Sequence, residues 1–177
     1  MVITKSILRF LTLALAVMIT LTVFHSKAED YKQESIDVSP ITASMRERQL
    51  KCLADNIYFE AGYESFEGKV AVAQVTLNRA SNAKWPSDVC GVVYQKNVVY
   101  EKVICQFSWY CQQGPKYRIS NKQVYNESMI VAKKVLLEGF RLPSISRAFY
   151  YHADYVDPKW KKPKISKIGR HIFYGDV

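Results

Sequence analysis

The sequence predicts an α+β domain that is mainly helical and carries a small antiparallel β-sheet. Three observations point to it. Apolar residues recur at helical spacing through residues 45–61, 65–80 and 121–139. Residues 106–109, 148–152 and 171–174 are short aromatic or β-branched runs of strand composition. Hydrophobic residues make up 49% of the chain and charged ones 23%, enough apolar material for a packed core. No internal repeat is present.

In chain order, Lys5 and Arg9 precede an uncharged, mostly apolar run over residues 10–24, and Ser26-Lys27-Ala28 follows with small residues at the two cleavage positions. This is the layout of a secretory signal peptide over residues 1–28. The run is short against the roughly 20 apolar residues of a full span, although an uncleaved membrane anchor is the competing reading. Either reading exports the rest. Residues 29–43 are polar, with Ser35, Ser39 and Pro40, and read as a linker to a catalytic domain over 44–177.

Ser44 is the expected cap of a helix starting at Met45, whose stripe is Leu50, Leu53, Ala54, Ile57 and Ala61 before Gly62 stops it. Ser65 caps a second helix to Ala80. Val70, Ala73 and Leu77 form one stripe and Ala71, Val75 and Asn78 its neighbour, so this helix is expected to lie between other elements. Ser87 caps a short helix to Tyr94. Asn121 opens a helix closed by Gly139, with Val124, Val131 and Val135 inward.

Cys52, Cys90, Cys105 and Cys111 are an even set in the exported part and predict two disulfides, with three connectivities open. No two of them are two to four residues apart, so a zinc site lacks its usual spacing. The formal net charge is +9, of which Lys5, Arg9 and Lys27 supply three units. A basic exported domain suits an anionic partner such as a cell wall or membrane surface. No nucleic-acid-binding signature accompanies the charge, so nucleic acid is not an expected partner. A monomer is expected. Lys159-Trp160-Lys161-Lys162-Pro163-Lys164 reads as a solvated loop able to approach such a surface.

The chemistry concentrates at Ile57-Tyr58-Phe59-Glu60-Ala61, where a carboxylate sits among apolar residues at the end of a helix. Burial and the negative end of the helix dipole both disfavour its ionised form. Glu60 is therefore suited to hold a proton near neutral pH and give it to a leaving oxygen.

Tyr58-Phe59-Glu60-Ala61-Gly62-Tyr63-Glu64, followed by Gly68-Lys69-Val70-Ala71-Val72-Ala73-Gln74-Val75-Thr76-Leu77-Asn78-Arg79, resembles the signature of the SleB-like cell-wall hydrolases, the family of spore-cortex-lytic enzymes. That signature reads Tyr-Phe-Glu-Ala-Arg-Gly-Glu and then Gly-Gln-x-Ala-Val-Ala-x-Val-x-Leu-Asn-Arg. The similarity continues through Trp85-Pro86, residues 89–95, 105–109 and 150–152, and 168–174, so it covers roughly 51–174. One departure stands beside the acid: Gly62-Tyr63 replaces Arg-Gly.

The resemblance implies a lysozyme- or lytic-transglycosylase-like body and assigns Glu60 as the catalytic acid. It also implies cleavage of the β-1,4 bond between N-acetylmuramic acid and N-acetylglucosamine in peptidoglycan, with no cofactor. Lytic transglycosylase action is expected, since no second catalytic carboxylate stands out. The alternatives are a hydrolytic muramidase or glucosaminidase, an N-acetylmuramoyl-L-alanine amidase, and a non-catalytic peptidoglycan-binding module. The candidate substrate-binding residues are Glu64, Gln106, Ser108, Tyr151, His152 and Tyr174. Glu64 is also weighed as a second carboxylate, as a helix-capping residue or as an ion-pair partner of Arg79, and Trp160 as a sugar-stacking ring. Glu60, His152 and His171 are the residues a metal would use, but no histidine pair has metal-binding spacing, and no metal is expected.

Overall fold

A computed structural model describes residues 43–112 and 118–176. These lie in one compact unit, Ile41–Val177. The export segment and most of the linker fall outside the described residues. Among those residues no helix is long and apolar enough to cross a membrane.

The elements in order are α1 (Ala43–Ala61), α2 (Phe66–Ala80), α3 (Val89–Val93), β1 (Lys96–Val99), β2 (Lys102–Cys105), α4 (Ser108–Cys111), α5 (Lys122–Leu136), a 3-10 turn at Pro143–Ile145, β3 (Tyr150–Ala153), β4 (Lys164–Ile168) and β5 (His171–Tyr174). The architecture is the expected one, mainly helical with small antiparallel sheets.

Helix α2 is the organising element. Nearly every residue from Gly68 to Leu77 is buried, so the helix is covered on all sides. Val70, Ala73 and Leu77 pack into a core with Leu53 and Ile57 of α1, Val92 and Val93 of α3, and Val131 and Val135 of α5. Ala71 and Val75 face a second cluster with Ile145, Ala148 and Phe173, which ties the helix to the sheet. Asn78 strengthens that side by donating its side-chain amide to Ala148 O at 2.8 Å and Ile145 O at 3.2 Å. The two stripes of the sequence thus become two interfaces.

The caps follow the chemistry of helix starts. Ser65 Oγ accepts from Gly68 N at 3.2 Å, and Asn121 Oδ1 accepts from Val124 N at 3.1 Å. Two caps differ from expectation. Helix α1 already includes Ala43, so Ser44 lies within the helix rather than capping it. Helix α3 is capped by Asp88, whose Oδ1 accepts from Gly91 N at 3.0 Å; its carboxylate takes the place expected of Ser87.

The strands contain the larger corrections. Residues 106–109 are not a strand. The Cys105–Cys111 disulfide holds its Cα atoms 5.7 Å apart, whereas six extended residues span about 20 Å, so the chain turns back as α4. Buried Phe107 and Trp109 alternate with exposed Ser108, which imitates a strand. The second disulfide joins Cys52 of α1 to Cys90 of α3.

The β1–β2 hairpin carries no sequence signal, because its two-residue turn is Tyr100-Glu101 at φ 48° and 63° rather than the usual Asn or Gly. The other sheet has order β3-β5-β4, all antiparallel. Strand β3 starts at Tyr150, since Ala148 is still bonded to the 3-10 turn through Ile145 O. Strand β4 begins inside the lysine run. That run is only partly a solvated loop: Lys162 Nζ lies 3.5 Å from Asp176 and 3.7 Å over the Tyr150 ring. Lys164 pairs with Tyr174 of β5.

Candidate active site

Glu60 occupies the last turn of α1 and is half-buried. It lines two adjoining recesses. One, of about 320 Å³, is formed with Arg79, Gln106, Ser108, Tyr150, Tyr151 and Trp160, together with Cys105 and Phe107. The other, of about 280 Å³, is formed by Tyr58 to Glu64 and Ser120. Glu60 is the residue the two recesses have in common.

The acid is held from the sheet. Tyr151 of β3 donates its hydroxyl to Glu60 Oε2 at 3.1 Å. Burial pushes the Glu60 carboxyl above its ordinary range, and the Tyr151 hydrogen bond and the Arg79 charge pull it partly back. Tyr151 itself is raised well above its usual value, chiefly by burial and then by Glu60, so it remains a donor. Its ring packs edge-on against His171 and at a tilt against Phe173.

Arg79 is the neighbour of Glu60 that the sequence left least defined. It is 4% exposed, a rare state for a cation. Its Nε donates to Phe149 O at 2.7 Å, and the guanidinium lies over the Phe107 and Tyr150 rings. Nη1 is buried without a hydrogen-bond partner. The expected ion pair with Glu64 is not made. Glu64 instead accepts the Arg170 N–H at 3.1 Å through Oε2, at the turn between β4 and β5. Gly169 of that turn has φ 56°, and a Cβ there would collide with Glu64 Oε2. An arginine in an otherwise Ala- and Val-rich helix was the available signal of a buried charge.

The other expected site residues divide. Gln106 and Ser108 share the recess of Glu60 and Tyr151. Glu64 lines the second recess. His152 and Tyr174 line neither. They are engaged with each other, His152 Nε2 accepting from the Tyr174 hydroxyl at 2.9 Å while Nδ1–H donates to Ala153 O at 2.8 Å. Trp160 stands edge-on to both rings and connects them to the first recess. Tyr58, Tyr63 and Ser120 were not singled out as site residues. Among the described residues, no group of three His, Cys, Asp or Glu side chains is placed to hold a metal ion.

A mainly helical body whose first helix ends in a carboxyl bonded to a small antiparallel sheet has the architecture of a lysozyme-like domain. The family follows from the sequence itself: the chain belongs to the cell wall hydrolase family, whose pattern matches residues 63–174. That match begins just beyond Glu60. The chain is 28% identical over 131 residues to the spore cortex-lytic enzyme of Bacillus cereus, covering 72% of this chain and 44% of that one. It is 25% identical over 153 residues to the Bacillus subtilis (strain 168) spore cortex-lytic enzyme, covering 84% and 44%. It therefore spans less than half the length of these curated relatives. Among solved structures, the catalytic domain of the Bacillus cereus SleB protein matches at 27% identity and TM-score 0.53, over 72% of this chain and 90% of that one. The catalytic domain of the germination-specific lytic transglycosylase SleB from Bacillus anthracis matches at 26% identity and TM-score 0.54, over 72% and 94%.

Proposed function

We propose that this chain cleaves the glycan strands of peptidoglycan as a lytic transglycosylase, with Glu60 as the general acid. The observation that carries the proposal is the placement of Glu60, a carboxyl with a raised pKa shared by two recesses. Glu60 gives its proton to the oxygen linking C1 of N-acetylmuramic acid to C4 of N-acetylglucosamine. The C1–O bond breaks, and the N-acetylglucosamine side leaves as an alcohol. The C6 hydroxyl of the muramic residue then bonds to C1, closing a 1,6-anhydro ring, and its proton returns to Glu60. No water is consumed and the acid is restored.

The carboxylate produced midway has Tyr151 as its donor and Arg79 as the nearby cation. Both favour charge developing on Glu60, and both are in place before substrate arrives. Support for the intramolecular route comes from Glu64, the other carboxylate lining these recesses, which is bonded to the Arg170 backbone. The Bacillus anthracis neighbour, itself a lytic transglycosylase, supports the same reading.

Hydrolysis is the second reading, because Glu64 lines the recess it would need to serve as a base. An amidase using a cysteine–histidine pair is disfavoured, since all four cysteines are in disulfides. Those disulfides, with the N-terminal apolar segment, support an exported protein.

The test is mass spectrometry of fragments released from purified peptidoglycan. Anhydromuramic ends are the expected product. Reducing ends would establish hydrolysis, and free stem peptides would establish an amidase.

A further inference from the structure

One departure of this chain from the signature, Gly62-Tyr63, lies in the second recess, and the local geometry suits it. Gly62 lies directly after α1, beside Val124 of α5. A Cβ on it would collide with the Tyr58 carbonyl oxygen and sit 3.0 Å from Val124 Cγ1. The arginine of the resembling signature has no seat at position 62. The next position, glycine in that signature, is Tyr63. The rim of the recess therefore loses a cation and gains an aromatic ring.

That ring is unusually free. Tyr63 is 87% exposed, and among the described residues it makes no ring–ring contact. The other tyrosine of the recess is engaged: the Tyr58 hydroxyl accepts from the backbone N–H groups of Ser120 and Asn121, each at 3.2 Å, and its ring packs on Phe59 and Tyr125. Tyr58 therefore serves as a wall, whereas Tyr63 offers a ring with no task in the fold. What gives a single exposed ring meaning here is its place on the rim of a concave recess, where a ligand would meet it. The recess also contains polar groups, Glu60, Glu64 and Ser120, suited to hydroxyl and acetamido substituents. A pyranose ring presents that combination of an apolar C–H face and a polar edge. The first recess, which also contains Glu60, has its own part-exposed aromatic, Trp160 at 40%.

We propose that Tyr63 is a sugar platform: it stacks on an N-acetylhexosamine ring held in the second recess, on the side of the scissile bond opposite Trp160. The inference rests on reading the cleft as a glycan site, and it assigns to this chain a specificity contact supplied by its Gly62-Tyr63 pair. The contribution is to binding. Its loss weakens substrate and transition state alike and raises KM more than it lowers kcat.

The experiment uses the full chain carrying Glu60→Gln, so that the ligand survives. A β-1,4-linked N-acetylglucosamine tetramer, and glycan strands freed of stem peptide, are titrated by isothermal calorimetry. Adding Tyr63→Ala should weaken binding of both by about tenfold, the order expected for losing one stacked ring. Adding Tyr63→Trp should restore or exceed the original affinity. Tyr63 is exposed, so thermal melting should find all variants equally folded. Unchanged affinity in Tyr63→Ala, or equal weakening by Ala and Trp, overturns the platform while leaving the glycan cleft intact. Absence of any binding with Tyr63 in place overturns both. In the active chain, Tyr63→Ala should raise KM on peptidoglycan with kcat nearly kept; a fall in kcat alone would also overturn the assignment.

Discussion

Replacing Tyr151 with phenylalanine removes one hydroxyl and leaves the ring. The ring contacts, 5.2 Å to His171 and 5.7 Å to Phe173, need no oxygen and should survive. What is lost is the 3.1 Å hydrogen bond to Glu60 Oε2. A hydrogen bond to a charged group contributes about 1.5–3 kcal/mol, and the lower end applies because this one is only part-buried. That corresponds to roughly a tenfold change in rate. The donor favours ionised Glu60 and so opposes the effect of burial. Without it the carboxyl keeps its proton to higher pH. The alkaline limb of kcat/KM should therefore move upward, while the plateau rate falls about tenfold because the carboxylate formed in the reaction has lost its donor. The assay is clearing of a peptidoglycan suspension across a pH series, with thermal melting to show that the variant is folded. A limb that moves downward, or an unchanged profile at an unchanged rate, would refute the role given to Tyr151.

Two further outcomes are expected. The natively exported protein should show no titratable thiol before reduction; replacing Cys52 and Cys90 with serine should cost about 3–4 kcal/mol, since their separation of 38 residues closes a long loop. The Cys105–Cys111 pair, six residues apart, should cost less, so an equal or reversed order in denaturant midpoints would contradict this. Replacing Lys159, Lys161 and Lys164 with serine, and keeping Lys162 for its contacts with Asp176 and Tyr150, should weaken sacculus binding at low salt and flatten its salt dependence. An unchanged salt slope in a sedimentation assay would remove these lysines from wall attraction.

Where local chemistry and tertiary packing agree, the sequence was readable. Ser65 and Asn121 cap the helices they were expected to cap, and the two stripes of α2 face two different cores. Strand recognition failed where the usual signals were absent or imitated. The Tyr100-Glu101 turn adopts positive φ without asparagine or glycine, and β4 is masked by the lysines at its start. The alternating burial of Phe107 and Trp109 belongs to a turn closed by a disulfide. In the candidate site, the sequence singled out Glu60 as a carboxylate in an apolar helix end, and Gln106, Ser108 and Tyr151 line the same recess as Glu60. The roles of Arg79 and Glu64 were not readable. Their partners, Phe149 and Arg170, are distant in sequence, and only the finished sheet brings them together.

The most direct measurement is fragment release from purified peptidoglycan by the Glu60→Gln variant. Glutamine nearly matches glutamate in size and can still meet the Tyr151 hydroxyl through its carbonyl oxygen, but it has no proton of the required acidity to give. Release should fall by at least about a hundredfold, the scale of a lost general acid, in a protein that melts cooperatively like the unaltered chain. A folded Glu60→Gln variant that digests peptidoglycan at the original rate would contradict the account.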